Sequence, residues 1–363
     1  MSDPLFQPLA VGPYTLQHRI VMPPLTRFRC SDDGVPIPEL VVPYYAERCL
    51  VPGTLIIAEA TDVNELAGGF ANVPGIYTDA QIEGWKAVTK AVHDRDCVIF
   101  LQLWAIGRAN PGTKQPDVVS AGNIAMKDGA QPRALSNAEV KMMVRAFGQA
   151  AANAVKAGFD GIEIHGAHGY LVDQFSQAVS NNRTDEYGGS VENRARFALN
   201  VVGACAAAIG ADKVAIRLSP FATVYSTGWD DPYPQYSYII NQLRERHPSL
   251  AYLHVVEPRV NGTVDRTLTS DQESNSDAYK ALWPGVYIVA GGFMPDTARE
   301  YVRTHDNALV AFGRRFISNP DLVAKIKEGL PFVPYNRKTF YLNKAKEGYL
   351  GYEYAKELKG IYY

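Results

Sequence analysis

Cysteine is scarce in this 363-residue chain. There are four, Cys30, Cys49, Cys97 and Cys205, with no CxxC pair and no short spacing suited to a zinc site. Four thiols in a chain of this length do not make a secreted disulfide framework, and the expectation is reduced cysteines in a cytoplasmic protein. Net charge is lacking too. Lys plus Arg number 36 and Asp plus Glu 38, a formal net charge of −2. No global field therefore draws the chain to nucleic acid or to an anionic membrane. No apolar run reaches the ~20 residues that span a bilayer. The opening Met1-Ser2-Asp3-Pro4-Leu5 has no basic stretch ahead of an apolar one, so no signal peptide is expected. Short repeats, low-complexity linkers, HExxH and a GxGxxG between strand and helix are all missing. The last absence weighs against a doubly wound dinucleotide-binding sheet. The expected partners are small molecules, with no nucleic acid and no membrane, and the expected state is monomer or homodimer.

What is present is alternation. Hydrophobic residues make up 47 %, and many fall in eight brief runs rich in Ile, Val and Leu, at 19–23, 55–61, 98–104, 161–165, 214–219, 252–257, 286–290 and 308–312. Such runs suit strands buried on both faces. Longer stretches with helical spacing lie between them, at 80–93, 140–157, 190–209, 296–302 and 320–328. Asp296 and Asn319 are expected N-caps, with Pro320 at a first helical position. Eight strand–helix units predict one (β/α)8 TIM barrel over residues 1–363. Two segments exceed ordinary loops, 105–136 and 261–277, and are read as rim or lid elements around the active end. Asn261-Gly262-Thr263 matches a glycosylation triplet and is read as coincidence.

Barrel enzymes carry their chemistry at the C-terminal ends of the strands. Strands seven and eight end in Gly291-Gly292-Phe293 and Gly313-Arg314-Arg315. Glycines let backbone N–H groups approach a phosphate, and an arginine adds a bidentate charge. The same glycines could simply make tight turns. Strand alternation predicts that only one of Arg314 and Arg315 faces inward. Gln102 and Arg217 are polar ends of very apolar strands. They could meet a flavin's pyrimidine edge, or be a satisfied core amide and a structural ion pair. His165 and His168 stand three apart, a spacing that shares a face on a helical turn. Two N–H donors there could hold a carbonyl oxygen. Metal ligation is the competing reading, although no third ligand cluster accompanies the pair. Tyr170 follows two residues on and, with an ordinary pKa near ~10, is an acid at neutral pH.

In this order the motifs resemble the Old Yellow Enzyme family of FMN-dependent ene-reductases, and its fungal members in particular. The resemblance is carried by Met22-Pro23-Pro24-Leu25-Thr26-Arg27, Gln102-Leu103-Trp104, His165 to Phe175, Asn182 to Ser190, Arg217-Leu218-Ser219-Pro220 and Phe316-Ile317-Ser318-Asn319-Pro320. It implies non-covalent FMN, with NADPH as reductant, and reduction of activated C=C bonds in α,β-unsaturated aldehydes and ketones by ping-pong transfer through the flavin N5. Pro24, Leu25, Thr26, Ala60, Gln102 and Arg217 would contact the flavin rings. Gly291, Gly292, Phe293, Gly313 and Arg314 would hold the ribityl phosphate. His165 and His168 would bind the oxygen of an enone or phenol, and Tyr170 would protonate the α carbon. Trp104, Phe70, Val224 and Tyr341 would shape the substrate pocket, and no metal is implied. His168 stands where the family often has Asn, Ala60 where glycine is frequent and Gly292 where Asn is frequent. Relatives of the ergot-alkaloid branch that carry Phe for the tyrosine isomerise instead, so Tyr170 implies a reductase. Three alternatives stand beside this one: a dedicated natural-product aldehyde reductase, a phenol-binding flavoprotein with little turnover, and a flavin-free phosphate-binding barrel. The last lacks a Schiff-base lysine at the mouth of strands four to eight.

Overall fold

The computed structural model describes residues 3–112, 114–262, 264–266 and 276–363. Eight parallel strands close into a barrel in sequence order: β1 Ile20–Met22, β2 Leu55–Asp62, β3 Val98–Trp104, β4 Gly161–Gly166, β5 Val214–Leu218, β6 Tyr252–Val256, β7 Tyr287–Ala290 and β8 Ala308–Ala311. All eight coincide with the apolar runs to within a residue or two. The reason is burial: every residue of β2, β4 and β6 to β8 is buried, so each strand is mainly apolar, with neither face in water, and stands out locally. The pairing of β8 with β1, Val310 beside Ile20 and Ala311 beside Val21, closes the ring.

Helices pack outside. Asp79–His93 and Asn137–Lys156 begin with capping boxes, Thr78 with Gln81 and Ser136 with Glu139, and Ser190 caps Val191–Ile209. Each cap satisfies an N–H that the helix itself leaves open. The expected caps near the C-terminus are corrected. Met294 precedes the helix Pro295–Thr304, so Asp296 lies in its first turn. Asn319 ends a short helix, Gly313–Ser318, and Asp321 precedes Leu322–Glu328, leaving Pro320 outside both. The unforeseen helix Gly313–Ser318 displaced the starting point. Helices Pro38–Glu47 and Tyr233–Arg246 also had no clear periodicity in the sequence. No helix among the described residues is long and apolar enough to cross a membrane. All four cysteines are buried and unpaired.

The two ends of the chain close the two ends of the barrel. A hairpin of Leu9–Val11 and Tyr14–Leu16 sets Val11 and Leu16 against the inward side chains Val21, Leu55, Ile57, Phe100, Tyr252, Ile288 and Leu309. Its turn needs Gly12, at φ +53, where a Cβ would lie 2.0 Å from the Asp212 carbonyl oxygen. At the other end, buried Arg27 and Arg29 hold the C-terminal segment by its backbone. Arg27 donates from Nε to the Phe340 carbonyl at 3.1 Å and from Nη2 to that of Gly348 at 2.6 Å. Arg29 reaches the carbonyls of Ala345 (2.9 Å), Phe340 (2.9 Å) and Glu347 (3.0 Å).

The segment 105–136 is ordered where described. It contains the paired strands Val119–Ser120 and Arg133–Ala134, and none of its described residues lines the central cavity. Its buried Arg108 instead donates to the carbonyls of Tyr225 (3.2 Å) and Ser226 (3.0 Å). Of 261–277, residues 263 and 267–275 lie outside the described residues, as does the last position of the Asn261-Gly262-Thr263 triplet.

Candidate active site

The strand ends open into one cavity of about 860 Å³, within the size range of cofactor and ligand sites. All the residues singled out from the sequence line it: Pro24, Leu25, Thr26, Ala60, Phe70, Gln102, Trp104, His165, His168, Tyr170, Arg217, Val224, Gly291, Gly292, Phe293, Gly313, Arg314 and Tyr341. They come from seven of the eight barrel strands or the loops after them, and Val256 and Val260 line the cavity from β6 and its loop, because parallel strands aim all their C-terminal ends at one mouth.

Local backbone devices bring them there. In β2 the pairing with β3 shifts between Ala58 and Thr61, and this bulge turns Ala60 to the cavity where simple alternation would present Glu59. His165 is on strand β4, whereas His168 sits in the following loop at φ +55. The two therefore do not share a helical face. They converge, with ring centroids 5.8 Å apart, because His168 holds a left-handed conformation with its N–H on Ser219 Oγ at 2.7 Å. Both Arg314 and Arg315 line the cavity. The expected choice of one fails because Gly313–Ser318 is a helix and not a strand continuation. Arg314 Nη1 donates to the Tyr335 hydroxyl at 3.2 Å.

The wall beside the histidines is aromatic. Tyr170 stands edge-on to His165, centroids 4.8 Å apart, and to Trp104 at 4.9 Å. Trp104 stacks on Phe70 at 5.8 Å. Phe28, at φ +58, packs on Phe70 at 6.1 Å and on Tyr341 at 5.4 Å. Phe28 and Tyr225 line the cavity and had no sequence signal. Both sit in left-handed conformations fixed by distant partners, Phe28 between the two strap arginines and Tyr225 under Arg108.

Burial sets the protonation states. It lowers the pKa of His165 and His168 well below the ordinary imidazole range, with the Arg217 charge adding to it, so both rings are neutral and each carries one N–H. Burial raises Tyr170 well above the ordinary phenol range, with Tyr225 adding to it, so its proton is held at all moderate pH values.

FMN fits these residues. Arg217 Nε, His165 Nδ1 and Trp104 Nε1 are buried without a protein partner among the described residues, and buried polar groups of this kind call for a ligand. The floor offers an amide and a guanidinium, Gln102 and Arg217. The far side offers Gly292 at φ +73, Phe293, Gly313 and Arg314. Among the described residues no group of His, Cys, Asp and Glu is placed to hold a metal ion.

Residues 4–332 match the model of the NADH:flavin oxidoreductase / NADH oxidase family. The chain is 47 % identical over 367 residues to a chanoclavine-I aldehyde reductase of Penicillium roqueforti, covering 98 % of this chain and 97 % of the relative. It is 43 % identical to a protein of Epichloe festucae var. lolii named "Probable inactive reductase", covering 97 % and 96 %. Its fold is similar to the crystal structure of Old Yellow Enzyme from Pichia sp. AKU4542, with a TM-score of 0.90, 35 % identity and coverage of 98 % and 94 %.

Proposed function

The chain belongs to the NADH:flavin oxidoreductase / NADH oxidase family, and on that premise we propose that it reduces electron-poor C=C bonds of α,β-unsaturated aldehydes and ketones, with FMN as cofactor and NADPH as reductant. FMN, when bound, supplies the hydride that the nicotinamide has given it. Gln102 and Arg217 hold its pyrimidine edge, and the fixed cation favours the anionic reduced form. Gly292, Phe293, Gly313 and Arg314 hold its phosphate.

The rest falls to side chains of this chain. The neutral His165 and His168 each direct an N–H at the substrate oxygen, which withdraws electron density from the β carbon. Tyr170 gives its hydroxyl proton to the α carbon. Trp104 and Phe70 form the slot that keeps a flat conjugated substrate in line and water out. The observation that carries this reading is the Tyr170 ring packed against both His165 and Trp104, which puts the acid beside the oxygen-binding pair.

The test separates the half-reactions. Tyr170→Phe should slow alkene reduction by roughly 10²-fold or more, the usual worth of a general acid, and leave flavin reduction by NADPH near the wild-type rate in stopped flow. Equal losses in both would refute the role of Tyr170. A long-wavelength charge-transfer band with para-hydroxybenzaldehyde should appear in the wild type and weaken in His165→Ala.

A narrower reading is a reductase dedicated to one complex natural-product aldehyde. The aldehyde reductase activity for which the Penicillium relative is named and the large aromatic cavity favour it. A substrate panel with one strong preference supports the narrower reading, and a flat panel supports the broad one.

A further inference from the structure

The barrel interior carries a buried polar layer beneath the cavity that the chemistry above leaves unused. Its centre is Glu163, fully buried on β4 and absent from the cavity lining. Strand register places Gln102 beside it on β3, and one step higher Arg217 lies between His165 and His254. Glu163 Oε1 accepts from Gln102 Nε2 at 2.8 Å, and Oε2 faces His254 Nδ1 at 2.8 Å. His254 is fully buried, which lowers its pKa. The neutral ring therefore places its single N–H on Nδ1, toward the carboxylate.

Nothing in the fold requires a carboxylate here. The layer below is apolar, with Phe100, Ile57, Ile288 and Leu309, and buried ion pairs are commonly matched or bettered in stability by apolar packing. The surroundings of Glu163 are informative. Gln102, which it touches, lines the cavity floor, as does Arg217, two residues on from Ala215, the strand partner of Glu163, and the Glu163 charge acts on Arg217 across that step. A carboxylate only accepts. It therefore selects the Nε2 end of the Gln102 amide and leaves the amide oxygen and the second N–H for the cavity. The flavin pyrimidine edge, with alternating carbonyls and N–H, needs an amide in one fixed orientation.

We propose that Glu163 is a positioning residue for the cofactor: it locks the orientation of the Gln102 amide and balances the charge of Arg217, and so sets both the affinity of the site for FMN and the reduction potential of the bound flavin. This rests on the reading that the cavity holds FMN. Removing the negative charge leaves Arg217 uncompensated. The reduced, anionic flavin then gains relative to the oxidised form, and the potential rises. A glutamine at this position offers a single acceptor for two donors, so the site also loosens around oxidised FMN.

The experiment titrates FMN into the full-length apo-protein, wild type and E163Q, following quenching of flavin fluorescence. It then measures the midpoint potential of each loaded protein against a reference dye. E163Q should bind FMN about tenfold more weakly. Its flavin should be about tenfold easier to reduce, about 30 mV upward for a two-electron couple. A merely structural Glu163 would lower the melting temperature and leave the potential where it was. A folded E163Q with unchanged affinity, or with an unchanged or lowered potential, overturns the proposal. If E163Q does not fold, E163D takes its place: it keeps the charge and withdraws the carboxylate from Gln102. Its affinity should fall while its potential stays at the wild-type value, and wild-type affinity in a folded E163D overturns the proposal equally. A wild-type protein that binds no FMN fails the functional reading itself, which is a separate result.

Discussion

Asp62, at the end of β2, is a carboxyl group with no room for a charge. It is buried, its Oδ1 has no partner among the described residues, and burial pushes its pKa up to about 8. Glu59, three residues back, is raised to about 7 by the same cause, with Arg27 opposing it. An acid whose folded pKa lies above its unfolded value keeps its proton in the native state while the unfolded chain loses it. Stability therefore falls as pH rises from about 4, the unfolded value, to about 8. Asp62→Asn removes one such group. The melting-temperature difference between variant and wild type should grow from pH 4 to pH 8, and a constant difference would take Asp62 out of the effect. The functional residues divide at this scale by the reach of their causes. Gln102, His165 and Arg217 were legible because a polar side chain at the end of an apolar strand is anomalous within its own few residues. The pairing of Arg27 and Arg29 with carbonyls near 340–348, which places Phe28, leaves no mark on the sequence around residue 28. The histidine pair converges by a route its three-residue spacing does not show: a strand end followed by a left-handed residue, in place of a helical turn, brings the two rings together.

Among the elements, the barrel strands were readable and the elements at the chain's ends were not. Strands buried on both faces announce themselves by composition. The N-terminal hairpin is only three residues a side and depends on contact with the barrel floor. The C-terminal segment is irregular and hangs on two arginines. Two glycines test these elements separately. Gly12→Ala would force a left-handed alanine against the Asp212 carbonyl. It should cost about 1–3 kcal/mol and lower the melting temperature with no change in ligand affinity, because the hairpin is remote from the cavity. Gly348 is at φ +62, and a Cβ there would lie 2.0 Å from Thr339 Oγ1. Gly348→Ala carries a similar backbone penalty but loosens the segment bearing Tyr341. It should therefore weaken para-hydroxybenzaldehyde binding severalfold in a charge-transfer titration. Equal effects of both substitutions on affinity would contradict this division.

As a whole, the molecule is a barrel floored by its first residues and walled at the mouth by its last. Closure in sequence order was legible from eight apolar runs separated by longer stretches and the absence of a dinucleotide fingerprint, because each strand pairs with the next and topology adds nothing to decode. A ligand bound only by the folded barrel adds its binding free energy to stability. FMN at about 100 times its Kd should therefore add about 2.7 kcal/mol and raise the melting temperature of the apo-protein, and FMN that leaves the transition unmoved would deny the site. The arginine strap has a consequence in the order of synthesis. Arg27 and Arg29 leave the ribosome 311 to 321 residues ahead of their acceptors, Phe340 and Gly348. All eight barrel strands exist once Ala311 has been made. At ~5–20 residues per second, the nascent chain spends seconds with a barrel that can close and a cavity that lacks Tyr335, Phe340 and Tyr341. Cofactor capture is thereby deferred until the segment carrying Tyr335 to Tyr341 has followed the barrel out, and a chain cut just before Tyr335 would hold a barrel with an unfinished mouth.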